Sequence, residues 1–251
     1  ASLPSFDLNL YKESSANERF NRATLGVYEL GSVFKAFNTA LALDSGLVKI
    51  EDSYDATKPL KVSRYFIRDD HPENRWLTVP EIFIHSSNIG SAQIAMDIGS
   101  ERQRKFLSQL GMLEPIKLEI PESGRPLSPS KWRDINTMTV AYGHGIAVTP
   151  LHAINGFAAM VNGGIKRQPT LLYQDEIHNR NISGKRVIGA DTSLTMRKLM
   201  YRAVTEGTGS NAQVEGYLVG GKTGTAEKAK AGGYERKAVI STFIAAFPIE
   251  N

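Results

Sequence analysis

The chain of 251 residues contains no cysteine. That removes disulfide bonds, thiol nucleophiles and cysteine-based metal sites at once, and leaves either a reducing or an oxidising compartment open. Metal-binding patterns are missing too: His71, His85, His144, His152 and His178 stand at spacings that match no known ligand motif. No apolar run approaches the roughly 18 residues that a membrane-spanning helix requires, and no signal-peptide pattern is present. The net charge of +4 is too small to argue for nucleic acid. A phosphate-binding G-x-x-x-x-G-K-[ST] loop is absent as well: Gly220-Gly221-Lys222-Thr223 looks like half of one, but the upstream Gly216 is one residue too close. No linker, repeat or low-complexity run divides the chain, so one domain is expected.

What is present is three short motifs in a fixed order: Ser32-Val33-Phe34-Lys35, Ser86-Ser87-Asn88 and Lys222-Thr223-Gly224. A serine hydroxyl is a weak nucleophile until a base takes its proton. On a helix, a lysine three residues after a serine lies on the same face one turn later. Ser32 opens a helical pattern through Phe37, Ala40 and Leu41 that stops at Asp44-Ser45-Gly46. The serine then stands at a helix N-terminus, where developing negative charge is favoured. For Lys35 to act as the base near neutral pH its amine must be uncharged, which burial and a second cation, Lys222, both promote.

Ser86-Ser87-Asn88 falls between the apolar stretches 79–84 and 89–98 and reads as a short interhelical loop. Ser100 to Gln103 has the pattern of a capping box opening a further helix. Thr149-Pro150 caps another helix, to Met160, and Asp191 or Thr192 starts one that runs to about Val204. Residues 217–227 and 237–247 are rich in strand-forming residues and suit an antiparallel hairpin, with a connection longer than two residues. Lys222-Thr223-Gly224 therefore lies on a strand whose glycines permit close approach of another backbone or a ligand. The basic stretch from Lys228 to Lys237, with Lys230 and Arg236, reads as a solvated hairpin tip. Segregated helices and strands indicate an α+β fold.

The ordered set resembles the active-site serine family of penicillin-binding proteins and serine β-lactamases, whose signature is S-x-x-K, S-D-N and K-T-G. Tyr28 to Lys35, His85 to Gly90 and Val219 to Glu227 are similar to the corresponding blocks of class B transpeptidases, of the division type (penicillin-binding protein 3-like). Ser2 to Asn9, Gly143 to Pro150 and Thr205 to Gly209 also fit, with Leu8 and Leu30 standing where prolines are usual. The resemblance implies a β-lactamase/transpeptidase-like fold, an antiparallel sheet packed with helices, spanning residues 1–251 as one transpeptidase domain truncated at both ends. Some sheet strands, a membrane anchor and a pedestal domain are then expected to be missing.

The resemblance implies Ser32 as nucleophile, Lys35 as general base, Ser86 as proton relay to the leaving amine and Asn88 as the amide that orients Lys35. Lys222 supplies positive charge. Thr223, Gly224 and Thr225 hold the substrate and its carboxylate, and the backbone N–H groups of Ser32 and Thr225 form the oxyanion hole. No cofactor or metal is implied. The expected substrates are peptidoglycan stem peptides, with β-lactam antibiotics as mimics. Glycan polymerase and divisome proteins are expected to act through regions outside the chain, in the periplasm of a protein anchored in the inner membrane. A serine β-lactamase, a non-catalytic β-lactam sensor and an inactive wall-associated module are the competing readings. For the first of these Glu119 and Glu122 are candidate bases, here read as solvated loop carboxylates.

Overall fold

A computed structural model of the chain describes residues 2–173, 184–230 and 233–250. After a 3-10 segment (Leu8–Glu13) and a short helix α1 (Ala16–Arg19), a 3-10 turn at Gly31–Val33 runs directly into helix α2 (Phe34–Asp44). Short strands β1 (Ser53–Asp55), β2 (Leu60–Val62), β3 (Tyr65–Ile67) and β4 (Trp76–Thr78) follow. Five helices come next: α3 (Val79–Ile84), α4 (Asn88–Ile98), α5 (Ser100–Gln109), α6 (Asp134–Val140) and α7 (Pro150–Val161). The two-residue strands β5 (Ile165–Lys166) and β6 (Lys185–Arg186) precede helix α8 (Ala190–Thr205), and the long strands β7 (Gly220–Lys230) and β8 (Gly233–Ala246) close the order. All pairing among the described residues is antiparallel: β1 with β4, β2 with β3, β5 with β6 and β7 with β8. The α+β expectation is met.

Local sequence explains most of the boundaries. Helix α2 ends where Gly46 takes a left-handed φ of +68°, the stop expected of it. Thr149 caps α7 by accepting from the His152 amide at 3.3 Å, with Pro150 in the first turn. Two expectations need correction. Ser100 does not cap α5 but is its first residue; the cap position belongs to Gly99, at φ +82°, and no side chain caps that end. Helices α4 and α5 are thus joined through one glycine, the residue that adopts this backbone freely, and no room remains for a separate cap. The hairpin strands also run further than expected: β7 and β8 pair as far as Lys230 and Gly233, with a register shift between Glu227 and Lys228 that absorbs the extra residues of β8. The side chains of Lys230, Arg236 and Lys237 in the basic stretch lie outside the described residues.

Two hydrophobic clusters build the interior. The larger joins Leu30, Val33, Phe34 and Phe37 of the α2 region to α5, α7, α8 and Ile244 of β8. Phe34 and Phe37 meet edge to face at 5.5 Å, worth about 0.5–1.5 kcal/mol beyond the area they bury. The smaller gathers Leu77, Val79, Ile82, Ile89, Ile94 and Ile98 of β4, α3 and α4 around Val48 and Ala56. Helix α3 bridges them, since Phe83 belongs to the first cluster and Ile82 to the second. Strand β7 packs on α8 and on the 3-10 turn that carries Ser32.

Candidate active site

Gly31, at φ +55°, turns the chain so that Ser32 stands half-exposed in the 3-10 turn before α2. No larger residue fits at Gly31: a Cβ would lie 2.3 Å from the Thr225 carbonyl oxygen. Gly224 is held likewise, its would-be Cβ 2.2 Å from the Leu30 oxygen. Two glycines facing each other thus let β7 and the serine turn approach backbone to backbone, as the strand glycines led one to expect. Lys35, three residues on, is fully buried, and its Nζ lies 2.9 Å from Ser32 Oγ.

The same amine meets the connection between α3 and α4. Nζ is 3.0 Å from Ser86 Oγ and 2.8 Å from Asn88 Oδ1, and it also donates to the Ser86 carbonyl oxygen. Ser86 sits at φ +62°, a left-handed conformation that costs a non-glycine residue about 1–2 kcal/mol, and such strain collects at functional sites. Here it accompanies a turn that presents both oxygens of one residue to one amine. Four oxygens therefore surround Lys35 Nζ, and two of them, the Ser32 and Ser86 hydroxyls, can donate to an amine lone pair as well as accept. A neutral amine has two N–H bonds and a lone pair. That set matches donation to the Ser86 carbonyl and Asn88 Oδ1 with acceptance of the Ser32 hydroxyl proton.

Lys222 reaches the cluster from β7. It is fully buried, its Nζ lies 3.0 Å from Ser86 Oγ and 3.2 Å from the Thr223 carbonyl oxygen, and it stands 5.9 Å above the Phe83 ring. The Ser86 hydroxyl thus bridges the two lysines. Burial pushes the Lys222 amine down to about 7. Lys35 is held well below the usual lysine range, first by burial and then by the Lys222 charge, with the carboxylates of Asp69 and Asp70 pulling the other way.

Of the remaining expected residues, Thr223 is half-buried and shares a 2.7 Å hydrogen bond between hydroxyls with Thr208, while Thr225 is exposed beside the serine turn. Ser32, Lys35, Ser86, Asn88 and Lys222 thus form one bonded cluster, with Thr223, Gly224 and Thr225 along its edge. His85 caps α3, and its Nδ1 lies 3.8 Å from Glu73. Glu119 is exposed and accepts from Thr170 Oγ1 and the Leu171 amide, which lower its pKa; Glu122 is exposed. The loop reading of both carboxylates fits this placement.

Sequence reasoning passed over three residues. Phe83 is the ring beneath Lys222; Thr208, in the Thr205 to Gly209 block, braces Thr223. Asp69 accepts from Ser87 Oγ at 2.8 Å, from the Asn88 amide at 2.6 Å and from the Ile89 amide at 2.9 Å. No motif marks it. The one available signal was an acid preceding the Ser86 loop by less than twenty residues, beside a second acid.

Comparison with known proteins agrees with this arrangement. Residues 1–251 match the family described as "Penicillin binding protein transpeptidase domain". A Caulobacter vibrioides protein named "Probable peptidoglycan D,D-transpeptidase FtsI" is 37% identical over 256 residues, covering 100% of this chain and 43% of its own length. Stage V sporulation protein D of Bacillus subtilis is 31% identical over 268 residues, covering 100% of this chain and 41% of its own. The chain thus spans less than half the length of these relatives. The solved transpeptidase domain of Burkholderia pseudomallei penicillin-binding protein 3, in its apo form, superposes with a TM-score of 0.86 at 30% identity, over 92% of this chain and 70% of that one. With the bonded Ser, Lys, Ser, Asn and Lys cluster and a match along its whole length, the chain belongs to the penicillin-binding protein transpeptidase domain family.

Proposed function

We propose that this chain is the catalytic domain of a peptidoglycan D,D-transpeptidase of the division type. The observation that carries the reading is the Lys35 amine, buried, depressed in pKa and 2.9 Å from the Ser32 hydroxyl. Ser32 Oγ attacks the carbonyl of the penultimate D-Ala in a stem peptide ending D-Ala-D-Ala, and its proton passes to the neutral Lys35 amine. The oxyanion is held by the backbone N–H groups of Ser32 and Thr225; one such donor is worth about 3 kcal/mol. Collapse breaks the peptide bond, and the leaving amine takes its proton through Ser86, which bridges Lys35 and Lys222. The departing carboxylate is read by Thr223 and Thr225 with the Lys222 charge. A side-chain amine of a neighbouring stem then attacks the Ser32 ester, forms the cross-link and releases the serine.

β-Lactams present a strained amide in the same place and leave a Ser32 ester. The domain works on the periplasmic side of the inner membrane as one part of a longer, membrane-anchored protein, with glycan polymerase and divisome proteins contacting the other parts. No helix among the described residues is long and apolar enough to cross a membrane.

Intact mass after incubation with benzylpenicillin tests the reading. A single long-lived penicilloyl adduct that maps to Ser32 and is lost in Ser32→Ala is expected. An adduct that persists in folded Ser32→Ala, or no adduct on folded protein, overturns it. A transient adduct with accumulating hydrolysed drug makes the chain a β-lactamase instead.

A further inference from the structure

We propose that Asp69 is a positioning residue of the active site, whose carboxylate fixes the Ser86–Asn88 loop and so places the oxygens that surround the Lys35 amine. The proposal rests on the reading of Ser32 and Lys35 as nucleophile and base. Asp69 follows β3 and leaves the sheet to reach the N-terminus of α4, where it stands half-buried. One of its oxygens accepts both the Asn88 and the Ile89 amide, and the other accepts the Ser87 hydroxyl. Ser87 Oγ in turn accepts from the Gly90 amide at 3.0 Å. A single carboxylate, with the serine it holds, thus satisfies three of the N–H groups that a helix leaves unpaired at its start, with its charge at the favourable end of the dipole.

The two residues that touch Lys35 flank this anchor. Ser86 precedes Ser87 and holds its left-handed backbone against the amine. Asn88 is fixed through its own amide by Asp69 and through its side-chain Nδ2, which donates to the neighbouring Arg68 oxygen at 2.9 Å. That second bond leaves Asn88 Oδ1 aimed at Lys35. Residues 68 and 69 therefore set backbone position and amide orientation together. Ser87 and Asn88 alone would cap a helix in many geometries; the carboxylate selects one.

Asp69 also acts on Lys35 through its charge. The groups facing that amine are Ser32 on its own turn, Lys222 from β7, Ser86 and Asn88 from the α3–α4 connection, and Asp69 and Asp70 from the segment after β3. Burial and Lys222 push the amine toward its neutral form, and the two carboxylates restrain that push. A negative charge favours the protonated amine, so removing it lets Lys35 lose its proton at lower pH.

Two variants separate geometry from charge. Asp69→Ala removes all three bonds, and acylation by benzylpenicillin is expected to slow about 100-fold across the pH range, the scale of a catalytic group displaced by about 1 Å. Asp69→Asn keeps an accepting oxygen and the size but not the charge. Its acylation rate should keep more of its value, with the acid limb of the pH profile moved to lower pH. The Lys35 nitrogen signal of 15N-lysine-labelled protein should titrate at correspondingly lower pH. An Asp69→Ala protein acylated at the parent rate overturns the proposal. So does slowing in both variants with an unmoved pH profile and an unmoved Lys35 titration, the pattern of a merely structural residue. If the parent itself is not acylated, the transpeptidase reading fails, yet two measurements still decide the role of Asp69. Lower-pH titration of Lys35 in Asp69→Asn and faster amide exchange at Asn88 and Ile89 in Asp69→Ala support it, and the absence of either overturns it.

Discussion

The larger hydrophobic cluster carries the proposed nucleophile, Ser32, and the smaller one carries the loop that arranges its proposed base, Lys35. Leu30, Val33 and Phe34 anchor the Ser32 turn in the first; Ile82 and Ile89, on either side of Ser86–Asn88, are buried in the second. The hydrogen bonds of Lys35 cross that seam, since its backbone belongs to α2 and three of its partner atoms to the α3–α4 connection. A site at a seam gains partners from elements anchored in two different clusters, and it depends on the two clusters holding one relative position. Close-packed interiors hold such positions to fractions of an ångström.

Truncating one buried side chain in each cluster is the sharpest way to break the comparison. Phe37 and Ile94 are both fully buried, and replacement of each by alanine is expected to cost about 2–5 kcal/mol. Because α3 contributes Phe83 to one cluster and Ile82 to the other, both variants should melt in a single transition at lower temperature by circular dichroism and calorimetry. If Ile94→Ala instead shows two transitions, the smaller cluster is a separate unit and the seam is a domain boundary.

The second prediction turns on Lys222, a buried cation at the seam with its folded pKa pushed down to about 7, against roughly 10.4 unfolded. Between those values the unfolded chain binds the extra proton, so this residue makes stability rise as pH rises from 7 to about 10, and below 7 its full penalty remains. Lys222→Met removes the penalty while keeping the packing beside Phe83. The variant should be about 1–4 kcal/mol more stable than the parent at or below pH 7, with the difference shrinking toward pH 10, and it should lose most of its acylation by penicillin. Thermal melts across pH 6–10 check the sign. A variant less stable at pH 6 than at pH 10, relative to the parent, would mean that the charge is compensated in the folded state.

The parts legible in the sequence are those fixed by near neighbours along the chain. Ser32 and Lys35 are one helical turn apart, so their meeting follows from spacing alone, and Gly46 and Thr149 mark helix ends through their own backbone and side chain. The meeting of Lys222 with Ser86, across 136 positions, was legible only because the motif order resembles a known family. Asp69 and Phe83 were not legible, because a carboxylate that accepts from three groups on another element looks in sequence like any solvated acid. The α5 start was misread for a related reason: Ser100 and Gln103 fit a capping pattern, but the preceding Gly99 already supplies the turn, and Gln103 is buried, bonded to the Thr137 oxygen and to Trp132. Tertiary partners overrode a local pattern.

The smallest predicted effect concerns a second aspartate that caps a helix from outside, at the end of α2 opposite Ser32. Asp44 is the last residue of α2, where an acid opposes the helix dipole. Its Oδ1 accepts from the Gly189 amide at 2.6 Å and from Thr192 Oγ1 at 2.9 Å, and so caps α8, whose own cap position has no side chain to offer. Asp44 thus joins the far end of α2 to the helix on which β7 packs, as Asp69 joins a hairpin to α4. The two differ in what lies beyond the capped end. Past Asp69 are Asn88 and the Lys35 amine; past Asp44 is only the body of α8. Asp44→Ala is therefore expected to cost about 1 kcal/mol, the value of a lost cap, which for a chain of this length lowers the melting temperature by about 2–4 °C. Its acylation rate and pH profile should match the parent. Equal losses of acylation in Asp44→Ala and Asp69→Ala would show that the site responds to any loosening of the clusters, and would remove the distinction between a cap that builds the site and one that only holds the fold.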